Sequence, residues 1–374
     1  MRKALKKAAA VLMTAALAVG VMTVPAMAEE QKGLNICIIT SSGVDDGSFN
    51  QDCYNGILTF LEDHPDCKVT DIKEADLAQL VPTVEKSVGD YDVFVLPGFN
   101  FAAIGDIVKN NPEKYFLVVD STIQDSEGNM VDAAEAGNVY TMTFKEQESG
   151  FFAGVAAALT TKTNKVAVVN GIAFPSNVNY EYGFMSGVNY ANAKYGTAAE
   201  YVELPSYAGT DLAGNNVGGN YVGDFADEAG GKVVGEALIG EGCDVIFVAA
   251  GASGNGVFTA AKEASDVYVI GCDVDQYDEG ASGSGNIILT SGLKVMHSNV
   301  TKQLAAIYDG TFTGEDALLG ADTDSTGFVS AEGRQQLSED AIEKLNECYE
   351  KVKSGEIVPA SGTEGTPDDF PGLN

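Results

Sequence analysis

The sequence predicts an α/β protein made of two doubly wound, parallel-sheet lobes joined by a hinge. Three observations predict it. Short, continuous apolar runs rich in Val and Ile alternate with helical patterns, as strands covered on both faces require. The strand–helix cycle closes once and begins again near residue 165. The length of 374 residues is that of two domains rather than one.

The chain opens with a segment that reads as a signal peptide over 1–28. Arg2, Lys3, Lys6 and Lys7 precede an apolar stretch over 8–21, and Ala26-Met27-Ala28 offers small residues for cleavage. The apolar stretch is shorter than the roughly 20 residues a membrane span needs. Cys37 is the first cysteine, too far downstream for lipid attachment at the cleavage point. The mature chain is therefore expected to be exported, extracellular or periplasmic, at or near the cell membrane.

Strands are predicted at 34–40, 68–72, 93–96, 115–119 and 139–144, with helices over 48–63, 77–88, 102–109 and 146–161. The second cycle has strands at 165–170, 200–204, 245–249 and 267–272. Its helices fall near 182–195, 225–239 and 257–263. One more strand at 287–290 and helices over 294–308 and 338–353 follow. The expected N-terminal lobe comprises 34–143 plus 287–315, and the C-terminal lobe 144–275 plus 325–360. Segment 207–223, rich in Gly, Asn and Tyr, reads as an insert or surface loop, and 361–374 as a flexible tail.

Composition narrows the function. The net charge of −32 repels nucleic acid and anionic lipid, and an acidic surface also keeps an exported protein dispersed. Arg2 and Arg334 are the whole arginine complement, and Arg2 leaves with the leader. Carboxylate and phosphate ligands are usually gripped by the arginine fork, so a neutral ligand fits better. His64 and His297 are the two histidines, too few for a multi-histidine metal centre or a histidine triad. The six cysteines show no metal spacing; Cys37 and Cys272 fall on strands as buried thiols, and a disulfide among Cys53, Cys67 and Cys348 is left open. No cofactor and no metal is implied.

Ligands of doubly wound sheets sit beyond the C-terminal ends of the strands. Gly43-Val44-Asp45-Asp46-Gly47-Ser48-Phe49-Asn50-Gln51 occupies such an end and opens a helix. Asp46 or Ser48 suits a helix cap. Phe49 also offers a π-face and Asn50 an amide, a pair that would suit a flat base; stacking on a base contributes roughly 1–3 kcal/mol. Asp120 and Asp273 each close a predicted strand, one per lobe. Each suits a turn, and each also suits a vicinal diol, whose two hydroxyls a carboxylate can accept. Gly251 and Gly254 follow the strand 245–249, where backbone amides can approach a ligand; no Walker lysine accompanies them. Lys294 stands at a strand-to-helix junction within reach of a ribose oxygen or an acidic partner.

The residues 45–51 with Tyr54-Asn55-Gly56, the segments 147–154 and 242–256, Ile270-Gly271-Cys272-Asp273-Val274-Asp275-Gln276, Lys294 and Ser354-Gly355-Glu356-Ile357-Val358-Pro359 together resemble the basic membrane protein family. These are substrate-binding proteins of ABC importers, purine nucleoside receptors among them. The resemblance spans nearly the whole mature chain. It implies a periplasmic-binding-protein type I fold, a purine nucleoside in the interlobe cleft, an ABC permease as partner, and a monomer without enzymatic activity. It further implies that Phe49 stacks on the base beside Asp46 and Asn50. Tyr180 would supply the second ring where the family has Phe, and Asp120, Asp273 and Lys294 would hold the ribose. The sequence departs from the family in lacking a lipoprotein cysteine and in carrying the insert. Another neutral solute such as a sugar is the alternative ligand, and a nucleoside hydrolase built on Asp45, Asp46 and Asp120 the alternative class. A transcription regulator of the same fold is disfavoured by the leader and by the lack of a basic helix-turn-helix.

Overall fold

The structure, a computed structural model, describes residues 33–362 apart from residue 284. The leader expected over 1–28 lies outside the described residues, as does nearly all of the tail expected over 361–374. In chain order the first series is β1 (Asn35–Thr40), α1 (Phe49–Asp63), β2 (Lys68–Lys73), α2 (Leu80–Ser87), β3 (Val93–Pro97), α3 (Gly105–Asn110), β4 (Tyr115–Val119), α4 (Ala133–Ala136) and β5 (Val139–Phe144). The second is α5 (Glu146–Thr160), β6 (Lys165–Asn170), α6 (Pro175–Tyr195), β7 (Glu200–Tyr201), β8 (Gly209–Thr210), β9 (Asn216–Gly218), α7 (Glu228–Gly240), β10 (Val245–Ala249), α8 (Ser253–Glu263) and β11 (Tyr268–Asp273). After it come β12 (Ala281–Ser282), β13 (Gly285–Asn286), β14 (Ile288–Lys294), α9 (Met296–Tyr308), β15 (Glu315–Leu319), β16 (Thr326–Phe328) and α10 (Glu339–Lys353).

Two six-stranded sheets form, in the orders β15-β5-β4-β3-β1-β2 and β16-β14-β11-β10-β6-β7. The first is parallel throughout, and the second is parallel except for β16, which runs against β14. The central strands are buried along almost their whole length, which explains their continuous apolar sequence. Helices α1 and α9 cover one face of the first sheet through Ile57, Phe60, Val300 and Leu304, and α2 and α3 the other through Leu80, Val84 and Val108. Helices α5, α6 and α10 cover one face of the second sheet, and α7 and α8 the other.

The lobe assignment needs one correction. The strand at 287–290, expected in the N-terminal lobe, is longer and belongs to the second sheet, where β14 pairs with β11 and β16. Its residues are buried on both faces, a place only the middle of a sheet provides. The chain changes lobe immediately after it, between Lys294 and Met296. The strand β15 then closes the edge of the first sheet, and the chain returns to the second at β16. The two lobes are thus joined by three crossovers: β5 to α5, β14 to α9, and β15 to β16.

Two further differences bear on the site. Helix α6 begins at Pro175, seven residues before the expected start, because Pro suits the first helical position. Helix α8 begins at Ser253, so most of the Gly-rich run after β10 is helical. The segment 207–223 is partly ordered by the hairpin of β8 and β9 and a bridge from Tyr221 to Asn170. All six cysteines are buried and unpaired, so no disulfide links Cys53, Cys67 or Cys348.

The closest helix pair is α5 with α6. Each carries two glycines four residues apart, Gly150 and Gly154 facing Gly183 and Gly187. A Cβ at Gly154 would lie 2.1 Å from the carbonyl oxygen of Phe184, and one at Gly183 2.1 Å from that of Gln147. Backbone meets backbone there, and any larger residue would push the helices apart. This contact sets the N-terminal turn of α6, with Asn177 and Tyr180, beside the N-terminal turn of α5, with Glu146.

Candidate functional site

The C-terminal strand ends of the two sheets face one cavity of about 660 Å³, measured out to its open mouth. Of the residues singled out in the sequence, Asp46, Phe49, Asn50, Asp120, Tyr180, Gly251, Asp273 and Lys294 all line it. Gly254 does not. It lies in the first turn of α8, where a Cβ would strike Val248 at 2.8 Å, so its smallness serves helix-on-sheet packing. Gly251, at φ +54°, makes the turn that brings the chain past the cavity.

Asp46 is buried, and its carboxylate accepts the N–H groups of Ser48 at 3.1 Å, Asn50 at 3.0 Å and Gln51 at 3.0 Å. It satisfies the free donors at the start of α1 and so fixes Phe49 and Asn50, the first residues of that helix. Burial raises its carboxyl, against the pull of those three bonds. Asn50 donates to the Ser42 hydroxyl at 2.8 Å.

Asp120 follows β4 at φ +65°, and Asp273 ends β11 at φ +69°. Lys294, the last residue of β14, donates to both Asp120 oxygens at 2.8 and 2.7 Å and lies 3.5 Å from Glu146. The ammonium is 4.9 Å from the centre of the Phe49 ring and 5.6 Å from that of Tyr180. Burial disfavours its charge, but Asp120, Glu146 and Asp273 outweigh that and raise Lys294, so it is ammonium. Burial pushes Glu146 up to about 7, with Lys294 opposing and Asp120 adding to the rise. Asp273 has neutral partners: the Tyr180 hydroxyl donates to it at 2.9 Å and the Ser48 hydroxyl, from the other lobe, at 2.9 Å.

The structure adds residues with no sequence signal strong enough to single them out. Phe99, Phe174 and Phe225 line the cavity as a run of rings, with centres 5.4 and 5.9 Å apart in that order. Phe99 opens a short 3-10 turn over Phe99–Phe101, Phe174 caps α6 and Phe225 sits in a loop, none of them within a periodic pattern. Asn177 lines it from the turn of α6 that the sequence pattern places outside the helix.

The acids do not make a hydrolytic centre. Asp45 is exposed, Asp46 is committed to backbone donors and Asp120 to Lys294. Among the described residues no group of three or more His, Cys, Asp or Glu is arranged to hold a metal ion. Arg334, the one described arginine, lies away from the cavity and grips Asp275 and Asp278. Among the described residues no helix is long and apolar enough to cross a membrane.

Two parallel-sheet lobes on three crossovers, with one polar and aromatic cavity between their strand ends, define a solute-binding protein of the periplasmic type I class. The profile of the Bmp family, the PnrA-like ABC transporter substrate-binding proteins, matches residues 34–206 and 215–361, and the chain belongs to that family. The break in the match falls within the insert read from the sequence. A T-cell-stimulating antigen of Listeria monocytogenes is 32% identical over 350 residues, 88% of either chain. The ABC transporter nucleoside-binding protein BmpA of Lactococcus lactis is 31% identical over 299 residues, 75% of this chain and 77% of its own. The crystal structure of an ABC transporter solute-binding protein from Aeropyrum pernix superposes with a TM-score of 0.74 at 23% identity, over 90% of this chain and 96% of that one. The protein is thus a binding component of an ABC transporter, not an enzyme; it takes a small-molecule ligand and works with a membrane permease.

Proposed function

We propose that the cavity binds a purine nucleoside, which the exported, monomeric chain delivers to the permease of an ABC importer. The observation that carries this is the two-ended character of the cavity. One end offers the ion pair of Lys294 and Asp120 together with Asp273, groups that suit ribose hydroxyls. The other end is walled by Phe99, Phe174 and Phe225, flat surfaces that suit a base. Among the described residues Lys294 is the one cation lining the cavity, and two carboxylates already face it, which disfavours phosphate. The name of the Lactococcus relative agrees with a nucleoside.

In this reading Phe49 stacks under the part of the base nearest the sugar, Asp46 and Asn50 hold that end of α1, and Gly251 lets the chain pass close to the ligand. Tyr180 serves through Asp273 rather than as a second stacking ring, because its hydroxyl is already bonded there.

A thermal-shift series with adenosine, inosine, guanosine, uridine, ribose and AMP tests the proposal. A ligand at 100 times its Kd adds about 2.7 kcal/mol of stability, a shift easily read. Purine nucleosides should stabilise the chain, AMP and ribose should not, and Phe49→Ala should remove most of the shift. Stabilisation by ribose alone would replace the nucleoside with a sugar.

A further inference from the structure

Asn177 is buried, 5% exposed, on the first turn of α6. Its amide cannot be turned over. Nδ2 donates to the carbonyl oxygen of Ala249 at 2.8 Å and to Oδ1 of Asn170 at 3.1 Å. A carbonyl can only accept, so the nitrogen must face Ala249. Asn170 is fixed in turn, since reversing it would set one NH2 against another. The consequence is an unusual one: among the described residues, Nδ2 of Asn170, fully buried, has no partner. An unpaired buried donor is costly, and proteins that keep one generally have a functional reason. Here the orphan belongs to an arrangement that holds Asn177 in one orientation, and that orientation leaves Oδ1 as its uncommitted polar atom in a residue that lines the cavity. Among the described residues nothing donates to that oxygen.

The sheet order places this acceptor. Lys294 ends β14, Asp273 ends β11, Ala249 ends β10 and Asn170 ends β6, and these four strands are neighbours in that order. With about 4.8 Å between strands, Asn177 lies roughly 10–15 Å along the cleft from the Lys294 end. That is the far end of a nucleoside whose sugar meets Lys294 and Asp273. Phe174 and Phe225 flank it, the latter packed so closely on β6 that a Cβ at Gly171 would meet its ring at 2.2 Å.

We infer that Asn177 is a specificity-determining residue whose fixed Oδ1 accepts an N–H from the hydrogen-bonding edge of the base. The inference rests on the nucleoside reading and names what that reading leaves open: the base must carry a donor, as the ring N–H of a 6-oxopurine or the amine of a 6-aminopurine does. A pocket that holds a fixed acceptor, which the bound ligand cuts off from water, rejects a ligand of the same shape that lacks the donor.

The probes are inosine, adenosine and purine riboside, which has the same rings and sugar but no N–H on the base. Their affinities are measured by titration calorimetry for the wild type and for Asn177→Leu. The wild type should bind the better of inosine and adenosine about 10–100-fold more tightly than purine riboside, the usual effect of one buried hydrogen bond. Asn177→Leu should erase that difference while leaving purine riboside within about threefold, the scatter expected of a packing change. A purely structural role would weaken all three ligands alike, and that result overturns the inference. So does a wild type that binds purine riboside as tightly as the others, a comparison that needs no variant to fold. So does a difference that survives in Asn177→Leu. A wild type that binds none of the three overturns the nucleoside reading and this inference with it, whereas binding without discrimination overturns this inference alone.

Discussion

Asp120 and Asp273 occupy corresponding places in the two lobes, each closing a strand with a left-handed backbone and each facing the same cavity. Such a backbone is strained for most residues and tolerable for Asp, so both positions hold a carboxylate where a regular strand end would not. Their partners differ in kind. Asp120 is taken by an ammonium brought from the other sheet, with Glu146 competing for the same charge. Asp273 is held by two hydroxyls, one from each lobe. Each acid therefore reaches across the cleft, Asp120 to Lys294 and Asp273 to Ser48. The first contact is an ion pair that neutralises its own acid. The second leaves carboxylate lone pairs that can still accept from a ligand. Two sites built on the same backbone device thus divide the work: one ties the lobes together, the other keeps an acceptor available.

Breaking the charged contact should have the largest effect. Lys294→Met leaves Asp120 and Glu146 buried without a counter-charge, which typically costs about 3–5 kcal/mol. Urea unfolding should show a loss of that order, and nucleoside binding should disappear. Adding Asp120→Asn to Lys294→Met should restore part of the stability, since the stranded charge is then gone. A double variant no more stable than the single one would mean that Glu146, not Asp120, is the acid Lys294 serves.

Next in size is a pH effect on the Asp120 side. Burial raises Glu146 to about 7 in the folded chain, above the 4.5 of an ordinary glutamic acid. Below about 4.5 the group is protonated whether the chain is folded or not. Between there and about 7 the folded chain keeps a proton that the unfolded chain releases, so stability falls as pH rises through that window and levels off above it. A tenfold difference in proton affinity between the two states corresponds to about 1.4 kcal/mol. Glu146→Gln should flatten this part of the stability profile and be more stable than the wild type at pH 8. An unaltered slope in the variant would assign the proton elsewhere, with Glu181, likewise raised to about 7 by burial, the next group to test.

The neutral contacts of Asp273 should matter less. Tyr180→Phe and Ser48→Ala each remove one hydroxyl donor, a change of about 1 kcal/mol and so a several-fold loss of affinity. The ring of Tyr180 stays packed edge-on to Phe247, so the phenylalanine variant isolates the hydroxyl. A loss as large as that of Lys294→Met would erase the distinction between the two sides.

The distribution of these residues shows what a sequence can and cannot display. Asp120, Asp273 and Lys294 are legible because each stands at the end of an apolar run, and Phe49 because it opens the helix that follows one; a strand end in a doubly wound sheet has one functional direction. Phe99, Phe174 and Phe225 come from three short connections between strand and helix, and nothing local marks a ring there as facing a cleft. A helix start hides Asn177: the apolar pattern of α6 becomes clear only after the polar, cavity-facing turn that begins at Pro175. The lobe of β14 is illegible because a strand followed by a helix looks like one unit, while here the crossover falls between them. The strand β15 escapes notice because its sequence, Glu-Asp-Ala-Leu-Leu, is that of an exposed edge.

The smallest expected effect lies behind Asp273. Arg334 grips Asp275 at 2.7 Å and Asp278 at 2.8 Å, across the ring of Tyr277 at 5.3 Å. The loop it grips carries Gln276, which is itself buried: its Oε1 accepts from Cys272 N–H at 2.9 Å, its own N–H donates to Ser291 at 3.2 Å, and its Nε2 donates to the half-buried Gly47 carbonyl of the other lobe at 3.1 Å. Arg334 is about one-third exposed, so its ion pairs are screened and contribute little. If the bonds of Gln276 hold the loop, Arg334→Gln should lower the melting temperature by about 1–2 °C. Ligand affinity should stay unchanged, and the difference should vanish in 1 M salt, where charges are screened within about 3 Å. A fall in affinity equal to that of Tyr180→Phe, persisting in high salt, would instead make the surface arginine the residue that sets Asp273.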